Sequence, residues 1–157
     1  MTFAVLCDFD GTFVDIDTCV YILEKFAGED WRIYDKQFEK GEMTLEECLQ
    51  NQFSTVVVPE TRILDEIQLV TNVRIDFAEL VEYCKASELP LVIVSAGLDF
   101  VIKQFLELES WNGFIKVYAP KTKCTADGIK LTFPQLFHNT SVNFKDDLVT
   151  HYKEQDK

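Results

Sequence analysis

Two aspartates separated by a single residue, Asp8 and Asp10, have the type and spacing that most directly suggest chemistry. They follow the apolar run 3–7 and precede Gly11 and Thr12, so both carboxylates can lie beyond the carboxyl end of a buried strand. One could attack phosphorus as a nucleophile while the other protonates the leaving oxygen. Together they would attract a hard divalent cation, and Mg²⁺ is the ion we expect. Two turn-forming aspartates that cap a helix are the alternative.

A second polar turn, Ser95-Ala96-Gly97, follows the apolar run 91–94 and precedes apolar residues at helical spacing. A hydroxyl and successive backbone N–H groups at the start of a helix can bind a phosphoryl oxygen without carrying net charge. Serine is also a common helix N-cap, so this turn alone indicates little. Its position after a buried strand, like that of Asp8, favours phosphate binding.

Strands must position these two turns, and the sequence predicts where they lie. The runs at 3–7, 91–94 and 115–118 are short and largely apolar, which is typical of strands in a buried parallel sheet. Helical periodicity separates the second run from the third, and a turn at 125–128 leads into a further strand at 129–133. The pattern predicts an α/β core with a Rossmann-like parallel sheet.

The segment 15–74 differs from the rest, because its apolar residues recur at helical spacing and glycine and proline divide it into three or four helices. A crossover between two parallel strands needs only one helix, and the helix predicted at 76–87 fills that role. We therefore expect an all-helical cap at 15–74, inserted into an α/β core formed by residues 1–14 and 75–157.

Composition limits the partners that this chain can have. Hydrophobic residues make up 47% of the 157 residues and charged residues 27%, as in folded globular domains. The 15 basic and 27 acidic residues give a net charge of −12, which disfavours nucleic acid and anionic membrane surfaces as partners. The five cysteines form no CxxC motif, and the sequence shows neither a signal segment nor a membrane span. We expect a cytoplasmic location with reduced thiols.

The order of these motifs resembles the haloacid dehalogenase superfamily, in particular its phosphoserine-phosphatase-like branch, which combines a first motif DxDGT with an inserted helical cap. The resemblance implies that Asp8 is the nucleophile that forms an aspartyl-phosphate and that Asp10 is the general acid and base. It also implies that Asp8 and Asp10 bind Mg²⁺, the latter through its backbone carbonyl, and that Thr12 orients Asp10. The Ser-Ala-Gly turn would be the second, phosphate-binding motif.

Further site residues follow from the same resemblance. Lys145, near the start of a predicted late helix, matches the third-motif lysine that neutralises charge beside the nucleophile. Lys121 and Lys123 are its rivals, which we interpret as loop charges. Asp17 matches an acidic substrate contact at the cap, and a helix N-cap explains it equally well. Gln52 stands where phosphoserine phosphatases carry an arginine, which disfavours phosphoserine as the substrate. The segment 41–49 and the Ser-Ala-Gly turn look more similar to methionine-salvage and to phosphocholine or phosphoethanolamine phosphatases.

The fourth motif of the superfamily, an acidic pair after a further strand, has no counterpart here, because Asp146, Asp147 and Asp156 follow no buried strand. We therefore expect either a fragment of a longer chain or a shortened member. In the resembling fold, the strand at 3–7 would then lie at an open sheet edge. Such an edge predicts a homo-oligomer or pairing with a missing C-terminal segment.

The leading functional prediction is a Mg²⁺-dependent phosphatase that hydrolyses a small phosphorylated metabolite through an aspartyl-phosphate at Asp8. The alternative is a truncated, catalytically incompetent domain that binds a phosphorylated ligand or a protein partner. A thiol enzyme based on Cys7 is disfavoured, since this cysteine lies inside an apolar strand without a basic neighbour to lower its pKa.

Overall fold

The computed structural model describes residues 3–138 and 143–155, which contain five strands and seven helices. The strands are β1 (Val5–Cys7), β2 (Leu91–Val94), β3 (Lys116–Tyr118), β4 (Lys121–Thr125) and β5 (Gly128–Thr132), and the helices are α1 (Thr18–Phe26), α2 (Arg32–Glu39), α3 (Leu45–Ser54), α4 (Glu60–Val70), α5 (Ile75–Ala86), α6 (Asp99–Leu108) and α7 (Phe144–Gln155). None of these helices is long and apolar enough to cross a membrane. Asp156, one of the late acids considered above, lies outside the described residues.

A three-stranded parallel sheet with the order β1-β2-β3 forms the centre of the core. In its register Val5 pairs with Leu91, and Val92 pairs with Lys116. The all-apolar sequence of β2 explains its central place, because all four of its side chains are buried. The structure confirms the predicted α/β fold with a parallel sheet.

Helices cover both faces of this sheet. Leu91 and Ile93 of β2 belong to the main hydrophobic core, together with Val81 of α5 and Val101 of α6. Successive side chains of a strand point to opposite faces, so the two valines of β2 lie on the other side, in a smaller cluster with Leu148 of α7. The packing of α7 against the sheet places the beginning of that helix near the carboxyl ends of the strands.

Residues 15–74 contain α1, α2, α3 and α4, in agreement with the helical periodicity of this segment. The two ends of the segment are joined by Asp15 and Asn72. The Asp15 N–H donates to the Asn72 carbonyl at 3.0 Å, and the Asn72 N–H donates to Asp15 Oδ1 at 2.9 Å. A β-bridge between Val14 and Val73 lies beside them. The two ends of the segment therefore lie side by side.

Local capping signals set where two of these helices begin. At α3, Thr44 Oγ1 accepts a hydrogen bond from the Glu47 N–H at 3.1 Å, and Glu47 Oε2 accepts one from the Thr44 N–H at 2.8 Å. This reciprocal pair is a capping box. At α1, Asp17 is the N-cap and accepts from the Val20 N–H at 2.8 Å. The sequence thus fixes the first turns of α1 and α3.

An antiparallel hairpin of β4 and β5 follows the sheet. Lys121 and Lys123 lie on β4 and not in a loop, which corrects their interpretation as loop charges. Their exposed side chains alternate with half-buried Thr122 and Cys124, the period of a strand with one covered face. The covering comes in part from α6, where Asp99 Oδ1 accepts from the Thr122 N–H at 3.1 Å.

The other strand of the hairpin contacts α3 closely. Gln50 Nε2 donates to the Ile129 carbonyl at 3.2 Å, and Gln50 Oε1 accepts from the Leu131 N–H at 2.8 Å. Gly128 lies so near the end of α3 that an added Cβ would stand 2.0 Å from the Ser54 carbonyl oxygen. This α3–β5 contact connects the helical segment to the remainder of the fold.

Candidate active site

Buried aromatic residues anchor the loop that follows β1. Phe9 and Phe13 are fully buried and pack against each other with 5.1 Å between their ring centroids. Between them Gly11 adopts φ +71°, a left-handed conformation that glycine tolerates and that lets the chain turn. With Phe9 held in the core, its neighbours Asp8 and Asp10 both line one pocket.

This pocket has a volume of about 310 Å³, within the range of small-molecule sites. It brings together the sequence-predicted site residues Asp8, Asp10, Asp17, Ser95, Ala96, Gly97 and Lys145. Thr12 does not line it, and its side chain is exposed. Residues far apart in the sequence therefore meet where β1 and β2 end.

Asp8 faces Lys145, the one lysine among the described residues that line the pocket. Asp8 Oδ2 lies 3.1 Å from Lys145 Nζ, and Asp8 Oδ1 accepts a hydrogen bond from the Phe9 N–H at 2.8 Å. The side chain of Asp8 is 46% exposed and that of Lys145 is 31% exposed, so a ligand can reach both. A carboxylate that is accessible and paired with a cation is suited to act as a nucleophile.

Lys145 is positioned by the beginning of α7, where Asn143 caps the helix. Asn143 Oδ1 accepts from the backbone N–H groups of Lys145 and Asp146, each at 3.0 Å. Asp147 is buried, and its carboxylate accepts from the His138 N–H at 2.8 Å. Neither Asp146 nor Asp147 is among the described residues that line the pocket.

Thr18, and not Thr12, holds the carboxyl group of Asp10. The Thr18 N–H and hydroxyl donate to Asp10 Oδ1 at 2.7 Å and 2.6 Å. Within the described ranges Thr12 makes no side-chain hydrogen bond to Asp10, which corrects its assignment as the orienting residue. The reason is the turn at Gly11, which brings the first residue of α1 back to Asp10. Burial raises the pKa of Asp10, although the bonds from Thr18 act in the opposite direction.

Ser95 forms a tight turn at the end of β2. Its Oγ accepts a hydrogen bond from the Gly97 N–H at 3.0 Å, and its own N–H donates to the Tyr118 carbonyl of β3 at 2.9 Å. Gly97 is required for space, because an added Cβ would lie 3.1 Å from Ser95 Oγ and 3.3 Å from Asp10 Oδ2. Since Ser95 Oγ acts as an acceptor in the turn, its hydroxyl hydrogen remains available to a ligand.

Asp17 is both the N-cap of α1 and a lining residue of the pocket, so the two interpretations of it are compatible. Asp10, Asp17 and Cys19 each offer a ligand atom within 4.8 Å of the others, a cluster that does not include Asp8. Burial raises the pKa of the Cys19 thiol well above its usual value, so it stays protonated and is a poor ligand. The carboxylates of Asp8, Asp10 and Asp17 supply the oxygen donors that a hard cation prefers.

The helical segment contributes a wall of the pocket that sequence motifs did not reveal. This helical wall consists of Leu23, Trp31, Asp35, Leu49 and Gln52. Gln52 Nε2 donates to Asp35 Oδ1 at 2.7 Å, although the two residues are 17 positions apart on separate helices. In the sequence, Asp35 and Gln52 show only that a polar side chain lies near the apolar stripe of an amphipathic helix. This pattern does not reveal that the two residues contact each other.

The chain matches one protein-family model and several curated proteins of known name. Residues 5–154 match the family model for haloacid dehalogenase-like hydrolases. The 2-hydroxy-3-keto-5-methylthiopentenyl-1-phosphate phosphatase of Geobacillus kaustophilus is 28% identical over 136 residues, covering 83% of this chain and 59% of the relative. The protein of the same name from Brevibacillus brevis is 28% identical over 133 residues, with the same coverage of 83% and 59%. This chain thus spans 59% of the length of these curated relatives.

Solved structures show the same fold. A phospho-aspartyl intermediate analogue of phosphoserine phosphatase superposes with a TM-score of 0.63 at 19% identity, covering 83% of this chain and 63% of the other. Phosphoserine phosphatase from T. onnurineus superposes with a TM-score of 0.68 at 17% identity, covering 98% of this chain and 72% of the other. With the family match over nearly the whole chain, these findings confirm the resemblance noted in the sequence: the chain belongs to the haloacid dehalogenase-like hydrolase family.

Proposed function

We propose that this chain carries the active site of a Mg²⁺-dependent phosphatase that hydrolyses a small phosphomonoester through an aspartyl-phosphate at Asp8. The central observation is that Asp8 lies 3.1 Å from Lys145 in a pocket that also contains Asp10, whose pKa is raised by burial. The names of the curated relatives support a small phosphorylated metabolite as the substrate. A pocket of about 310 Å³ suits a ligand of that size.

The chemistry divides into two steps. In the first, a carboxylate oxygen of Asp8 forms a bond to phosphorus while the bond from phosphorus to the leaving oxygen breaks. Asp10 gives its proton to that oxygen. Burial raises the pKa of Asp10, and the two bonds from Thr18, although they oppose this shift, hold the carboxyl group in a fixed orientation. In the second, the oxygen of a water molecule forms a bond to the phosphorus of the aspartyl-phosphate while the bond from phosphorus to the Asp8 oxygen breaks. Asp10 takes a proton from that water, inorganic phosphate leaves, and Asp8 is again a carboxylate and Asp10 a carboxylic acid.

Ser95 and Lys145 are suited to hold the phosphoryl group during both steps. The Ser95 hydroxyl has a hydrogen to donate because its oxygen already accepts from the Gly97 N–H. Lys145 Nζ lies beside the nucleophilic oxygen of Asp8, where a phosphoryl oxygen would arrive. One positive charge and one hydroxyl donor at this point stabilise the negative charge of the transferring group.

The donor set of the pocket fits a magnesium ion. Asp8 and Asp10 are the residues that would hold it, with Asp17 close to Asp10. When bound, Mg²⁺ supplies positive charge that offsets the repulsion between the carboxylates and a phosphoryl group. The charges of the pocket favour such a cation, because four aspartates face a single lysine among the described residues that line it: Asp8, Asp10, Asp17 and Asp35 against Lys145.

We also propose that residues 15–74 form a cap over a core of residues 1–14 and 75–157. The pairing of Asp15 with Asn72 supports this division, since the two ends of the segment lie side by side. The position of the helical wall in the pocket supports a contact between the cap and the alcohol part of the substrate. A cap in this place excludes water during phosphoryl transfer. The free cysteines fit a reducing, cytoplasmic location.

The edge of β1 is the proposed contact for a partner strand. Within the described part of the chain, β1 pairs only with β2 and leaves its other edge open. Open edges with apolar side chains pair readily with other strands. We propose that the edge is covered either by a second copy of this chain or by a C-terminal segment. Light scattering of the purified chain at low micromolar concentration distinguishes a dimer from a monomer.

The experiment that tests the function replaces the nucleophile. Asp8→Asn should lower the turnover of p-nitrophenyl phosphate in MgCl2 by at least about 10³-fold and leave the free energy of unfolding unchanged or higher. Asp65→Asn on the exposed face of α4 makes the same charge change away from the pocket and should keep full activity. Acid-quenched wild type should carry one phosphoryl group on the peptide that contains Asp8. Wild-type turnover by Asp8→Asn would contradict the mechanism.

A further inference from the structure

The helical wall has polar chemistry that the two reaction steps do not use. Asp35 of α2 and Gln52 of α3 both line the pocket, and the side chain of Gln52 is almost completely buried. The bond of 2.7 Å from Gln52 Nε2 to Asp35 Oδ1 fixes the orientation of the amide, because a carboxylate can only accept. The amide oxygen of Gln52 is therefore left as an acceptor.

Acceptors outnumber donors in this wall. Asp35 Oδ1 has a second, weak contact at 3.8 Å with the Cys48 thiol, which stays neutral because burial raises its pKa to about 11. Within residues 3–138 and 143–155, both side-chain contacts of Asp35 are made by Oδ1, and Asp35 Oδ2 and Gln52 Oε1 receive no hydrogen bond. A partly buried carboxylate with a free oxygen is a strong site for a hydrogen-bond donor.

The nearby cations do not neutralise this wall. Lys145 Nζ is paired with Asp8 Oδ2 at 3.1 Å, at the proposed phosphate-binding end of the pocket. Arg32 is exposed and is not a lining residue: its guanidinium bonds Glu24 at 2.6 Å and lies 4.5 Å from the centre of the Trp31 ring. A carboxylate on a ligand would therefore meet negative charge at the wall without a compensating cation among the described residues.

Trp31 contributes a single buried hydrogen-bond donor to the wall, against the two free acceptor oxygens of Asp35 and Gln52. Its side chain is 7% exposed, and its indole N–H is buried without a hydrogen-bond partner among the residues that the structure describes. Buried N–H groups in native proteins nearly always have a partner. Leu23 and Leu49 add apolar surface beside it. The wall is suited to a short apolar chain that ends in a polar group.

We propose that Asp35, oriented by Gln52, selects the alcohol that leaves in the reaction: one that carries a hydrogen-bond donor, an ammonium or a hydroxyl group, and not a carboxylate. The inference rests on the proposed phosphatase function, since the leaving group contacts the helical wall while its phosphate lies at Asp8. An ammonium group binds best, because a hydrogen bond between two charged groups is stronger than one with a neutral donor. Asp35 is the residue in contact with substrate, and Gln52 is a positioning residue.

Binding of three non-hydrolysable phosphonates tests the proposal without requiring turnover. They are 2-aminoethylphosphonate, 2-hydroxyethylphosphonate and phosphonoacetate, which have similar size and end in an ammonium, a hydroxyl and a carboxylate. Calorimetry in MgCl2 should rank their affinities in that order, with about 10- to 100-fold between the first and the last. In Asp35→Asn the ranking should collapse, because the amide keeps an acceptor for Gln52 but loses the charge. Glu39→Gln, an exposed charge change on the same helix, should keep the ranking.

The outcomes separate this proposal from the function on which it rests. Equal affinities in the wild type, or a ranking that survives in Asp35→Asn, would overturn the selection by Asp35. Turnover of p-nitrophenyl phosphate without the ranking would overturn the selection and leave the phosphatase function standing. The ranking without turnover would uphold the selection and contradict the phosphatase. If Asp35→Asn does not fold, Asp35→Ser, which also removes the charge, takes its place, and a ranking that survives in that variant overturns the selection by Asp35.

Discussion

Replacing Gly128 by alanine tests whether the α3–β5 contact fixes the helical wall to the core. The backbone of Gly128 has φ +105°, and the added methyl carbon would lie 2.0 Å from the Ser54 carbonyl oxygen and 2.6 Å from its carbonyl carbon. Neither atom can move without shifting the end of α3. Since α3 carries Leu49 and Gln52 into the pocket, the substitution should affect both stability and the site.

The expected loss of stability has two parts. A side chain at positive φ costs about 1–2 kcal/mol. Overpacking against backbone adds about 1–3 kcal/mol, so Gly128→Ala should lower the free energy of unfolding by about 2–5 kcal/mol. Gly41→Ala is the matched control, because Gly41 has φ +73° and an added Cβ there meets nothing within 4 Å. The difference between the two variants isolates the close approach to Ser54.

Urea denaturation followed by circular dichroism measures both variants. We expect the free energy of unfolding of Gly41→Ala to fall only by the part due to backbone conformation. That of Gly128→Ala should fall by about 1–3 kcal/mol more. For a domain of this size, that difference corresponds to a Tm lower by about 2–12 °C. Equal losses of unfolding free energy in the two variants would mean that the hairpin does not approach α3 so closely. The α3–β5 contact would then not hold the helical wall in place.

Three further substitutions have distinct expected outcomes. Gln50→Ala removes both side-chain bonds to β5 and should destabilise the protein by about 1–2 kcal/mol in the same urea assay. Lys145→Met should lower phosphatase kcat by about 10²–10³-fold, while the free energy of unfolding changes by less than about 1 kcal/mol, since the pair with Asp8 is partly exposed. Hydrogen bonds to Glu154 and then Asp147 raise the pKa of His138 above 6.5. The stabilisation from protonated His138 is therefore present below pH 6.5 and is lost as the pH rises through the raised pKa. His138→Gln should remove this pH dependence from a profile of unfolding free energy against pH.

The strands and the location of the site were predictable because their signals are local. A strand buried on both faces needs consecutive apolar residues, which the runs at 3–7 and 91–94 supply, and the structure places β1 and β2 within them. Each run ends where the polar turn begins, so parallel pairing brings Asp8 and Ser95 to the same edge. The order of residues along the chain was sufficient for this prediction.

Sequence patterns did not predict the roles of residues that depend on how the chain folds back on itself. Thr12 and Thr18 both follow Asp10 closely, and only the turn at Gly11 decides which hydroxyl reaches the carboxyl group. The lysines of β4 resemble those of a loop because the covering of their strand comes from α6, which lies earlier in the chain. Asp35 and Gln52 form one feature although they belong to different helices. Each of these contacts is set by packing between elements, which no local pattern encodes.

The proposed function requires so acidic a protein to receive a phosphate ester, and the charges of the pocket are arranged for it. Lys145 compensates Asp8, and burial raises the pKa of Asp10, which weakens the preference of that carboxyl for its charged form. Asp17 lies close to Asp10, so a cation bound there would also offset the negative charge of Asp17. Asp35 then remains, without an ion pair among the described residues, as the carboxylate that a donor on the substrate would satisfy. A ligand with a phosphate at one end and a hydrogen-bond donor at the other matches this division of charge, and a ligand with anionic groups at both ends does not.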